Sequence, residues 1–263
     1  MIVRPQSDGS LILITQSDHA KLSGVLAAHW GNERFARPWP YESTVRGTVF
    51  HDCGWYRYDT GPQYNAEQQT TPTFFHVPLD DVQLEAFQSG IDWLSDIDPY
   101  AGLLIGRHRT GLWRSRYGTI THPVLVSPRL HSQGIEAFLL RNEPKQEVAI
   151  ASFGKQQFET NFSLLQIWDL LSLYFCTGEP KQEYFDPVPM SYSDSGATTR
   201  LELTPLDVRR VAIDPYPFDI DPLPVDYIYR HMPTGKFPDQ ESFRIAYFGT
   251  PFKIRQFEFV RKS

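Results

Sequence analysis

Hydrophobic and polar positions change period several times along the chain, and each change marks an element. Ile2-Val3, a polar Asp8-Gly9-Ser10 turn and Leu11-Ile12-Leu13-Ile14 predict a short β-hairpin over residues 1–16. The spacing then lengthens to three and four. His19, Leu22, Leu26 and Trp30 predict a helix over about 18–30, capped by Ser17 or Asp18. A second helix is expected over about 42–53, after the Pro38/Pro40 loop, with Gly54 at its stop. Residues 54–78 are aromatic, Gln-rich and punctuated by proline, without a period. Such a loop could be a lid, a binding surface or a packed excursion. Leu84, Phe87, Ile91 and Leu94 predict a helix over 79–96, and Pro99 opens another that places Leu104, His108 and Leu112 on one face. A short helix is expected at 132–143. The clearest covers 155–176, where Phe158, Phe162, Leu165, Asp169 and Ser172 define a single face.

After Gly178 prolines recur too often for long helices, and alternating pieces such as Arg200–Leu203, Tyr227–Tyr229 and Phe252–Phe259 predict strands. The expected fold class is α+β: a mainly helical body over 1–177 that includes the hairpin, then a β-rich, mainly antiparallel region over 178–263 packed on it. With 263 residues, 41% hydrophobic and 21% charged, the chain can bury a core, and a disordered chain is excluded. A net charge of -6 gives no basic footprint for nucleic acid. No apolar run reaches the length of a membrane span and the first residues do not read as a signal peptide, so the expectation is a cytoplasmic protein with no membrane partner. Two cysteines, Cys53 and Cys176, exclude a disulfide framework.

One residue breaks the apolar pattern at a cost. Asp169 lies within the stripe of the 155–176 helix, between Trp168 and Leu170, and a buried carboxylate there needs a partner or a metal ion. His51-Asp52 reaches the core side of the 42–53 segment, although neighbours on a helix point about 100° apart. His19 sits on the inner stripe of the first helix. Each has a plain structural explanation alone: a cap, an ion pair, a satisfied core histidine. Together they put imidazole and carboxylate groups on the inner faces of three helices, a donor set suited to zinc, iron, manganese or nickel.

The order H…HD…D resembles the HD superfamily of helical metal-binding proteins, many of which are phosphohydrolases. A closer likeness is to a bacterial domain family of unknown function with an HD-like core. It rests on LITQSDHAKLSG at 13–24, HDCGW at 51–55, DPYAGLLIGRH at 98–108, LLQIWDLLSLYFC at 164–176, PYPFDIDPL at 215–223 and RHMP at 230–233. The resemblance implies an HD-like helical core and His19, His51, Asp52 and Asp169 as ligands of a divalent metal ion. Many HD phosphohydrolases carry a lysine after the glycine of an HDxGK run, where it can meet a phosphate; Trp55 stands there in this chain.

Further candidates surround this set. His108 could be a second metal ligand, a proton carrier or a substrate contact, and Asp52 could also serve in catalysis. Trp55 and Tyr56 could form a pocket wall. Arg109, in a cluster with Arg107, Arg114 and Arg116, could meet an anionic substrate group or point to solvent. Phosphate-loop, dinucleotide, zinc-protease and nucleophile-elbow motifs do not occur, and Cys53 lacks a dedicated base. Three readings stand: a metal-dependent hydrolase, in its narrower form a phosphohydrolase acting on a small anionic molecule; a non-catalytic metal- or ligand-binding protein; and a structural domain whose His and Asp residues pair without metal.

Overall fold

The computed structural model describes residues 1–114, 132–193 and 196–262. Its elements are β1 (Ile2–Pro5), β2 (Leu11–Ile14), α1 (Gln16–Ala28), α2 (Tyr41–Val49), a 3₁₀ turn (Cys53–Trp55), α3 (Tyr56–Thr60), α4 (Asp81–Ile97), α5 (Pro99–Trp113), α6 (Gln133–Phe153), α7 (Lys155–Cys176), β3 (Glu183–Pro189), β4 (Thr198–Pro205), β5 (Arg210–Asp214), β6 (Leu223–Met232), α8 (Gln240–Gly249) and β7 (Phe252–Arg261). The strands form one seven-stranded sheet in the order β1-β2-β6-β7-β5-β4-β3.

The sheet is mainly antiparallel, as expected, with β5 parallel to β7 as the exception among its pairs. One expectation needs correction: the anticipated mainly helical, HD-like core with a β-rich region packed on its outside is not what forms. The helices share their largest core with the sheet: Trp30, Trp168 and Phe175 pack in one cluster with Val225, Phe257 and Phe259. Phe175 lies 4.6 Å from Phe257 and 5.1 Å from Phe259, ring centre to ring centre. The cause lies in α7. Beyond its single-face stripe it also buries Leu164, Ile167, Trp168, Leu171 and Phe175, so it is apolar almost all round and is covered on several sides. A stripe count sees one face and assigns the helix to a bundle.

The hairpin shows the same two-sided burial. Ile2 and Ile14 belong to the sheet core, whereas Leu11 and Leu13 enter a second core with Trp55, Phe87, Trp113 and Phe243. An unbroken Leu-Ile-Leu-Ile run fits a strand that is apolar on both faces. Pairing of Leu11 with Met232 and Leu13 with Arg230 then ties the N-terminal hairpin to β6.

Helix starts follow local chemistry. Thr15, not Ser17 or Asp18, caps α1 by accepting from the Asp18 amide. Ser132 caps α6, which continues through Pro144 to Phe153 instead of stopping near 143. The carbonyl freed by that proline belongs to Leu140, on the solvent side. Gly24 allows α1 and α2 to meet closely, since a Cβ there would stand 2.2 Å from Val49 Cγ2.

Asp98 closes the junction of α4 and α5. Its Oδ1 accepts from the amides of Tyr100 and Ala101, both at 3.1 Å, and its Oδ2 pairs with Arg46 of α2. Asp98→Ala is expected to cost about 1–2 kcal/mol, read as a lower urea midpoint at unchanged slope. An unchanged midpoint would show that the cap is dispensable.

Candidate metal centre

Four segments deliver the site. His19 comes from α1, His108 from α5 and Asp169 from α7, while His51-Asp52 follows the end of α2. The structure ends α2 at Val49 and places the pair in the turn before Cys53–Trp55, not on the helix as expected. That turn removes the angular separation a helix would impose. The His51 amide turns back to the Thr48 carbonyl, and so does its ring Nδ1, at 2.8 Å. His51 then faces the same interior point as Asp52.

His19, His51 and Asp169 offer ligand atoms within 4.8 Å of one another, and so do His51, Asp52 and His108. These buried groups could hold a metal ion. All five are nearly closed off: His19 and His108 are 1% exposed, His51 3%, Asp52 5% and Asp169 6%. The His51 ring makes edge contacts with His19 at 5.0 Å and with His108 at 4.9 Å, so the three imidazoles form one group.

The protons of two rings can be assigned from their partners. A carbonyl only accepts, so His51 Nδ1 must donate to Thr48 O. Ser172 Oγ donates to the Asp169 carbonyl at 2.8 Å, which leaves its oxygen to accept from His19 Nδ1, also at 2.8 Å. In neutral rings both Nε2 atoms therefore carry lone pairs. His19 Nε2 lies 3.0 Å from Asp52 Oδ2, and His51 Nε2 lies 3.4 Å from Asp169 Oδ1 and 3.9 Å from Asp52 Oδ2. Among the described residues the buried His51 Nε2 makes no hydrogen bond of good geometry, its Asp169 contact being long and poorly aligned. Lone pairs facing carboxylate oxygens repel unless protons or a cation lie between them. A histidine anchored through one nitrogen and open at the other is the arrangement of a metal ligand.

Electrostatics reflect the same compression. Burial, the largest single effect, pushes His51 down, but the Asp169 and Asp52 charges together with hydrogen bonding outweigh it and hold the imidazole above its ordinary value. Burial would raise Asp169; the charge and hydrogen bonding of His51, then His19, bring it to about 2. Asp52 is likewise held well below the usual carboxylate range, its burial outweighed by His19, His51 and Arg109. Burial and the neighbouring His51 charge lower His108 to about 3, so it is neutral at pH 7 and retains a lone pair.

A family model described as "Protein of unknown function (DUF3891)" matches residues 1–234. The chain belongs to that family. No curated protein and no solved structure matches the chain. All the residues gathered here lie within the DUF3891 match, which ends shortly after β6.

Other anticipated residues occupy different places in this DUF3891 chain. Arg109 turns inward: Nη2 reaches Asp52 Oδ1 at 2.5 Å, and its guanidinium lies over the Phe87 ring at 4.1 Å. Trp55 is 2% exposed and packs edge-on against Phe87, at the flank of the same guanidinium. Tyr56, 67% exposed, is directed away from this core. Arg107 pairs with Glu147 and Glu159, and Arg114 with Glu136 and Glu143. Arg116 lies outside the described residues. Burial, then the Asp52 charge, raises the Cys53 thiol to about 11, which leaves it unreactive at neutral pH.

Sequence reasoning missed the supporting partners. Gln16 donates to Asp52 Oδ2 at 3.0 Å, and Ser172 and Thr48 fix the two ring orientations. The signal was present as spacing: Gln16 precedes His19 by three residues and Ser172 follows Asp169 by three, so each shares a helix face with a candidate ligand.

Proposed function

We propose that this protein is a metal-dependent hydrolase acting on a small substrate, with His19, His51, Asp52 and Asp169 holding one divalent ion. The observation that carries the reading is the buried Nε2 of His51, which has no well-formed hydrogen bond among the described residues and is set between two carboxylates that their charged neighbours keep ionised despite burial. A bound divalent ion would supply Lewis acidity toward a phosphoryl or carbonyl oxygen. Zinc, iron, manganese and nickel all suit imidazole–carboxylate donors. His108, neutral and 3.9 Å from Asp52 Oδ1, is placed to take a proton from a group bound beside Asp52. The little exposure that remains is mostly on Asp52 and Asp169, which favours a small molecule, such as a phosphoester, over a polymer.

Arg109 favours a second reading, a metal-binding protein without turnover. A phosphohydrolase site would be served by a free cation near the ion, yet Arg109 is committed to Asp52 and Trp55 stands where a lysine would reach. The two readings separate in one experiment. Nucleotides and generic phosphoesters are incubated with protein loaded with Mn, Zn, Ni or Fe, comparing wild type with His51→Ala and Asp52→Ala. Turnover lost in both variants supports the hydrolase. Stoichiometric metal without turnover on any substrate supports the binding protein, and failure to take up any ion overturns both.

A further inference from the structure

The edge of the sheet that no strand covers among the described residues carries a second feature, independent of the candidate metal centre. β1 is the terminal strand, and the turn that joins it to β2 fixes which way its backbone faces. The Gln6 amide donates to Ser10 O at 2.9 Å and the Gly9 amide to Gln6 O at 3.0 Å, with Gly9 at φ +82°. This is a three-residue hairpin loop closed by a glycine bulge. Antiparallel partners alternate between bonded and non-bonded pairs. Counting back from Gln6, Arg4 and Ile2 bond to β2 through their register partners Ile12 and Ile14. The N–H and C=O of Val3 and the C=O of Pro5 therefore point outward.

They point into a cleft of about 940 Å³ between β1 and the 63–73 segment. Gln68, Gln69 and Thr71 line the opposite wall. Thr71 is 5% exposed, and its buried hydroxyl has no hydrogen-bond partner among the described residues. An unmet buried hydroxyl is costly and calls for a ligand group. At one end the Phe74 amide bonds to Met1 O; at the other, the Gly235 amide bonds to Gly9 O and sets Lys236 at the cleft mouth. None of the five residues of the metal centre lines this space.

We propose that this cleft binds an extended peptide bearing an acidic side chain, which adds a strand to the outer edge of β1. A polypeptide backbone offers the alternating acceptors and donors that Val3 and Pro5 require. Amide side chains and the Thr71 hydroxyl complete the polar set, and Lys236 gives the charge complementarity for Asp or Glu in the guest. A carbohydrate fits less well, because the phenol ring in the lining, Tyr64, is only 7% exposed, which leaves the smaller His76 imidazole as the stacking face. Four residues of β1 span about 13 Å at about 3.3 Å each, so the guest needs four to six residues in extended form.

The test is selection of a random phage-displayed peptide library on the full chain. The best-enriched peptide, synthesised with capped ends, is then titrated by fluorescence polarisation. The enriched peptides are expected to carry Asp or Glu. Thr71→Val should weaken binding about fivefold, the worth of one hydrogen bond. Lys236→Glu should weaken it by about threefold or more, and added salt, which weakens binding to the wild type, should relieve the repulsion in the variant. Val3→Pro removes the one outward amide and should abolish binding; if that chain does not fold, the other two variants decide. No enrichment above background would overturn the proposal. So would a peptide that binds the variants as tightly as wild type, or binding of soluble oligosaccharides that the same substitutions abolish.

Discussion

Replacing His51 by alanine should abolish metal uptake, because both clusters of candidate ligands share this one ring. Its Nδ1 is spent on the Thr48 carbonyl, so a single lone pair serves both and the site has room for one ion through His51, not two. Losing a directly coordinating group should weaken affinity by more than about 100-fold, beyond the usual effect of losing a supporting hydrogen bond. The measurement is metal content after dialysis against zinc, with calorimetric titration of the apo protein. Uptake also carries a pH signature. His51 titrates above its ordinary value, so protons compete with the ion and affinity should rise with pH through that range. Stability of the apo protein runs the other way. A raised imidazole contributes stability that is complete below its unfolded pKa and is lost as pH rises through the folded one. The advantage of apo wild type over His51→Ala should therefore shrink on going alkaline, while the metal-loaded advantage grows. Equal zinc content in wild type and variant would sink the assignment.

The degree to which the chain announced this arrangement differs between its parts. Helix positions were legible because the stripes of α4, α5 and α7 are regular and because Pro99 marks the start of α5. The convergence of His19, Asp169 and the His51-Asp52 pair was legible for a related reason: each puts a charge or an imidazole where an apolar side chain belongs. Layer arrangement was not legible. It depends on long-range pairing, Leu11 with Met232 and Ile213 with Arg261, which no local period encodes. The turn at His51 was hidden too, since Val49-Phe50-His51 continues the helical pattern and only the Thr48 contacts end it. Arg109 was misleading for a physical reason: a guanidinium on a basic stretch reads as solvent-facing until Asp52, Phe87 and Trp113 are seen to enclose it.

That enclosure sets the largest expected loss of stability. In Arg109→Met the stem that packs over Phe87 is retained, but Asp52 Oδ1 loses its cation inside a closed core. Asp52 keeps Gln16 and His19 on its other oxygen, so it remains an ionised group with half its partners. Breaking a buried pair from one side costs about 3–5 kcal/mol, mostly the penalty of the charge left behind. Urea denaturation of the metal-free protein should show a loss of that size. Two comparisons tie it to the carboxylate and not to packing. Adding Asp52→Asn should recover a large part of the loss, because the stranded charge disappears. Saturating zinc should shrink the gap between Arg109→Met and wild type, because an ion beside Asp52 supplies the positive charge that the arginine no longer gives. A loss below about 1 kcal/mol, or one that is the same with Asp52→Asn and with zinc, would mean that Arg109 serves only as a spacer between Phe87 and Trp113. Arg109→Lys should fall between: it keeps the charge but not the planar fork that reaches Asp52 while lying flat on the ring.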